Sequence, residues 1–86
     1  MEELIGKEVV VDTSTSFVYL GILEEIREDS FVMSEVDVHD RNDIEISKEK
    51  YVLDTRRFGI KKNRKKVYII RDRVISISEI EDIIKF

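Results

Sequence analysis

The densest chemistry in the chain is the run Arg56-Arg57-Phe58-Gly59-Ile60-Lys61-Lys62-Asn63-Arg64-Lys65-Lys66. Arg56, Arg57, Lys61, Lys62, Arg64, Lys65 and Lys66 surround one aromatic ring, with no acidic residue among them. The chain as a whole carries a formal charge of −4 and has an isoelectric point near 5.0. Cations at this density make salt-dependent, sequence-tolerant phosphate contacts. The same run also reads as a solvated loop that balances the acidic stretch from Glu35 to Glu45. A second cluster, Arg71-Asp72-Arg73, is a short polar turn set between two apolar, β-branched runs.

Other chemistry finds little support. His39 is the single histidine, which removes most acid–base schemes built on imidazole. Asp37, His39, Asp40 and Asp43 are a conceivable metal set, but one imidazole beside carboxylates has no fixed ligand spacing. There is no cysteine, hence no disulfide framework, thiolate metal site or thiol nucleophile. No glycine-rich phosphate loop is present. Glu24 and Glu25 are adjacent and point to opposite faces of a regular strand, a poor catalytic pair. The reading is a non-enzymatic chain with no catalytic residue, no metal and no cofactor.

The elements that must position these residues are short. Eighty-six residues make one domain, 1–86, which buries roughly 60–65% of its unfolded surface. A core that small is helped by self-association. No run of about 18 apolar residues exists to span a membrane. The start, Met1-Glu2-Glu3-Leu4, does not read as a signal peptide; with the missing cysteine it fits a cytoplasmic protein. The 40% charged fraction, abundant Ile and missing Cys, Trp and Pro match heat-adapted proteins, or an AT-rich genome.

Val, Ile, Tyr and Phe runs between polar turns predict five strands. They fall at Lys7 to Asp12, Phe17 to Ile26, Phe31 to Val38, about 65–71 and about 73–77. Gly21 inside the second strand marks a bend or a close backbone approach. The apolar period breaks between Leu23 and Ile26, which predicts a bulge near Glu24-Glu25. Ser47 and Gly59 bracket a helix over 48–58, as N-cap and stop. Ser78 and Glu81 have capping-box spacing, which predicts a short C-terminal helix. The turn Arg71-Asp72-Arg73 is too tight for a simple hairpin and fits a barrel corner. The fold class is mainly all-β: a small five-stranded, strongly bent SH3-like or Sm-like barrel. It has a helical insertion at about 37–64, between strands three and four.

Tyr19-Leu20-Gly21-Ile22-Leu23, followed by Ile26 and Phe31-Val32-Met33, resembles the first motif of the Sm/LSm family. Ile70-Arg71-Asp72-Arg73-Val74-Ile75-Ser76-Ile77 is similar to its second, where Asp72 replaces a glycine. The resemblance covers about two-thirds of the chain. The opening Leu4-Ile5-Gly6-Lys7-Glu8-Val9-Val10 is also similar to PRC-barrel chains, over the first dozen residues only. The Sm/LSm resemblance implies a homo-oligomeric ring in which strand four of one copy pairs with strand five of the next. It implies single-stranded RNA as a partner, with bases held by Asp29, Ser30, Arg71 and Asp72. Asp29 stands where the family has a stacking residue and offers no π-face, and Ser30 stands near its asparagine. The basic run would supply phosphate contacts. The alternative is a protein-interaction or scaffolding module on an SH3-like or PRC-like barrel, without nucleic acid.

Overall fold

A computed structural model describes residues 1–42 and 47–84, with no side chain described at 48 and 49. Five antiparallel strands form one sheet: β1 (Glu8–Thr13), β2 (Phe17–Ile26), β3 (Ser30–Asp40), β4 (Arg64–Ile70) and β5 (Val74–Glu79). One helix, α1 (Lys48–Phe58), stands between β3 and β4, and 3-10 turns lie at Glu2–Leu4, Arg71–Arg73 and Ile80–Asp82. Asp43, from the conceivable metal set that the sequence reading set aside, and the acidic Glu45 lie outside the described residues. Among the described residues, no helix is long and apolar enough to cross a membrane.

The strand order is β4-β3-β2-β1-β5. Strands β4 and β5 are consecutive in sequence, yet they occupy opposite edges of the sheet. Only the three-residue turn Arg71–Arg73 joins them, about 6 Å of chain at 3-10 rise. A flat sheet cannot bring its two outer edges that close, so this sheet must curl on itself. The tight turn is therefore a corner where the edges meet, as its length predicts.

Two bulges supply the curl. Leu20 pairs with Asp37 and Ile22 with Ser34, so Glu35 and Val36 together oppose Gly21. Glu35 takes φ 52, the only positive φ of a described non-glycine residue. A Cβ on Gly21 would lie 2.9 Å from Ser34 O and 3.1 Å from both Glu35 O and Val36 Cα. Glycine is required there for space, because the bulged backbone crosses directly over it. The second register shift falls between Leu23 and Glu25, at the bulge the broken apolar period predicts.

Weak alternation in the sequence has a physical reason. Val9 and Val11 enter a main core with Leu23, Phe31, Met33, Val36 and Ile69. Val10, Val18 and Leu20 face the other way and would be wet without a cover. Helix α1 provides that cover: Val52 is buried against them together with Ile80, and Tyr51, Ile60 and Ile83 pack around. Each buried Val or Leu contributes about 1.5–3 kcal/mol. Strands buried on both faces read as continuous apolar runs.

Helix α1 matches its predicted bounds. Ser47 accepts a hydrogen bond from Lys50 N at 3.2 Å, and the Gly59 N–H donates to Thr55 O at 2.8 Å with φ 90. The C-terminus differs from the prediction. Ser78 is a strand residue paired with Val10, and Glu79 is paired with Val9. The β1 ladder takes the backbone groups that a capping box would have used. Among the described residues, the 3-10 turn Ile80–Asp82 follows, with no side-chain cap. In β5, Val74 and Ile77 both pack inward, because the β1–β5 register shifts between Asp12 and Thr13. Simple alternation does not allow that pair.

Candidate nucleic-acid interface

The β2–β3 turn and the β4–β5 corner meet at one shallow pocket. Arg71 N donates to Asp29 O at 3.0 Å, and Arg71 Nη1 donates to Arg27 O at 2.9 Å. The Arg71 guanidinium also lies 5.2 Å from the centre of the Phe31 ring, within cation–π range. One side chain thus ties together two turns more than 40 residues apart in sequence. Arg27, Glu28, Asp29, Ile70 and Asp72 line a cavity of about 640 Å³.

All four residues of the predicted pocket converge here, in different roles. Asp29 and Asp72 line the cavity. Arg71 is spent on backbone and ring contacts that hold the turns. Ser30 is 6% exposed, and its hydroxyl donates to Asp29 Oδ1 at 3.1 Å. Asp72 sits within the 3-10 turn and has no positive φ, so the corner asks no left-handed backbone of it.

Arg27 lines the pocket and Tyr68 lies against it, and the sequence reading missed both. Arg27 forms a two-pronged bond to Glu25, Nε to Oε1 at 2.9 Å and Nη2 to Oε2 at 3.2 Å. That bond holds the Glu25 carboxyl below its ordinary range. The guanidinium also lies 5.4 Å from the Tyr68 ring centre. It presents a planar surface of the kind on which bases stack, beside an aspartate that has none. The only sequence signal was the Glu25, Arg27 spacing at the end of β2.

The basic run spans three elements rather than one connector. Arg56 and Arg57 close the last turn of α1, where cations complement the helix dipole. Lys61 and Lys62 lie in the connector, and Arg64, Lys65 and Lys66 begin β4. All seven are exposed. Lys62 is ion-paired with Glu35, and Arg56 Nη2 reaches Glu81 O at 3.4 Å.

At the far end of β3, the acidic candidates are engaged in structure. Asp37 accepts hydrogen bonds from the Tyr51 hydroxyl and from Asn63 Nδ2 at 3.0 Å. Asn63 also extends the β3 ladder: Val38 N donates to its Oδ1 at 3.1 Å, and its own N donates to Val36 O at 2.8 Å. The His39 ring stacks on Tyr51 at 3.8 Å. Asp40 Oδ1 accepts from Asn42 N at 2.9 Å. Among the described residues no three His, Asp or Glu side chains gather as a metal site.

Asp37 carries a pH signature. Burial raises its pKa above the ordinary 3.8, while nearby His39 and Lys61 pull it back. A raised carboxyl binds its proton more tightly folded than unfolded. Its contribution is therefore full below the ordinary value and is lost as pH rises through the raised one. Tyr51→Phe removes a donor from this buried carboxylate. We expect a loss of about 1.5–3 kcal/mol at neutral pH, shrinking to about 0.5–1.5 kcal/mol in acid, where the partner is a neutral carboxyl. Urea unfolding at both pH values measures it, and an identical loss at each would sink the assignment.

The curled five-stranded sheet with its corner pocket defines an Sm-like fold. No protein-family model matches the chain, and no curated protein does. Among solved structures, it is similar to the Pyrococcus abyssii Sm protein in complex with a uridine heptamer. The TM-score is 0.61 at 20% identity, and the match covers 91% of this chain and 89% of that one. The Sm/LSm resemblance therefore holds at the level of the fold.

Proposed function

We propose that this chain is a non-catalytic, ring-forming, RNA-binding module. The observation that carries the reading is the Arg71 tie between the two turns, which builds a pocket at the barrel corner. The likeness to an Sm protein bound to uridines supports it. Glu28, Asp29 and Asp72 make the pocket rim acidic, so the pocket suits a base edge and not a phosphate. The backbone would then run against the exposed cations at the start of β4.

The ring part of the proposal rests on the sheet edges. Tyr68 and Ile70 on β4 are 51% and 56% exposed, and Ile75 on β5 is 69% exposed. Two different open edges that both carry apolar residues fit head-to-tail pairing, which closes into a ring. The acidic rim favours a second reading, in which the pocket side docks a protein and no RNA.

Fluorescence polarisation with short oligo-U and oligo-A at low and moderate salt separates the two. The expected result is binding that weakens steeply with salt and falls about tenfold in Arg71→Ala. No binding at low salt would leave the protein-docking reading. Light scattering on the same samples should return a multiple of the 10.2 kDa chain mass, and a strict monomer would remove the ring.

A further inference from the structure

We infer that the groove between α1 and the far end of β3 is a second nucleotide site, with Phe58 as its stacking platform. The inference rests on the RNA-binding reading above. The groove is lined by Asp37, His39, Tyr51, Asp54, Thr55, Phe58, Gly59 and Lys61, and its volume is about 430 Å³. That falls within the range of small-ligand clefts.

Three aromatic rings line the groove. His39 and Tyr51 are stacked and nearly parallel, at 10°. Phe58, the last residue of α1, is 71% exposed. Its exposure follows from the chain path: Gly59 turns the backbone away with φ 90, and the ring is left at the rim with no core to enter. Arg57 lies 5.2 Å from the ring centre, and Lys61 lines the wall. An exposed ring with cations beside it is the arrangement that holds an unpaired base and its phosphate.

Each of the two groove aspartates has a cation beside it. Both Asp37 oxygens already accept hydrogen bonds, from Tyr51 and Asn63. Asp54 is paired with Lys50 at 2.9 Å. Lys61 lies near the Asp37 carboxylate and offsets its charge, and Arg57 beside the ring keeps the groove mouth positive. The groove is separate from the corner pocket. Asp37 and Ser30 are seven residues apart along β3, about 23 Å of strand if straight.

The chain contains no tryptophan, so Phe58→Trp installs a single reporter. Single-stranded RNA of about 16 nucleotides, a length able to track along a protein groove, should quench the indole at low salt. The quench should survive in Phe58→Trp combined with Arg71→Ala, because the corner pocket is a different site. In the native background, Phe58→Ala should weaken binding of the same RNA by about tenfold. If the RNA binds but the indole is silent and Phe58→Ala binds normally, the groove site is wrong and the corner pocket stands. If no RNA binds at all, both fall. If Phe58→Ala instead lowers the mass in solution, the ring is a contact between copies and the groove site is overturned.

Discussion

Gly21→Ala is expected to destabilise the barrel by about 3 kcal/mol, at the upper end of overpacking costs. The three atoms nearest to the new Cβ all belong to the β3 backbone, the closest at 2.9 Å. No side chain can swing aside, so β3 itself must shift. For a domain of this size the loss corresponds to a fall in Tm of more than about 10 °C. Gly6→Ala is the control. Gly6 has φ 87 and nothing within 4 Å of a built Cβ, so that change tests backbone conformation alone, at about 1–2 kcal/mol. Equal losses in thermal unfolding would show that Gly21 is not needed for space.

The second large effect concerns affinity. Reversing Lys61, Lys62, Lys65 and Lys66 to glutamate replaces four exposed cations with four anions. If they lie along the RNA backbone, affinity at low salt should drop by more than about a hundredfold. The slope of log affinity against log salt should flatten by about 0.7 for each phosphate no longer neutralised. The change removes the Lys62–Glu35 pair and the Lys66 contact with Tyr68, but such exposed contacts each contribute about 1 kcal/mol or less, so the variant should remain folded. Unchanged RNA affinity would return the run to a solvated surface, a role that Lys62 already fills toward Glu35.

How legible all this was in the sequence depends on the range of the interaction. The bulge at Glu24-Glu25, the bend at Gly21 and both ends of α1 are local events, and local residue types reported them. The C-terminal helix was misread because Ser78 and Glu81 carry a helical signal, whereas β1, some 70 residues earlier, supplies the competing ladder. Strand parity in β5 failed for the same cause. At the candidate site, Arg71 and Asp29 were located through motif position. Arg27 was not, since its place depends on the Glu25 and Tyr68 contacts. Tyr51 lies inside the predicted helix over 48–58, and nothing local marks its tertiary role. Its bond to Asp37 and the fork made by Asn63 join positions 14 and 26 residues apart, with no periodic trace.

The corner at Arg71–Arg73 also bears on how the molecule is made. Strands β1 to β3 form by neighbouring hairpins, and loop closure between neighbours is cheap. β5 can only complete the sheet by finding β1, with Val9 opposite Glu79. That is one of the longest sequence separations the chain offers, and such pairings are slow to form. Until it forms, β1 keeps a bare edge, rich in valine, that any other extended chain could occupy. The pairing that protects this edge is therefore the one made by the strand that leaves the corner.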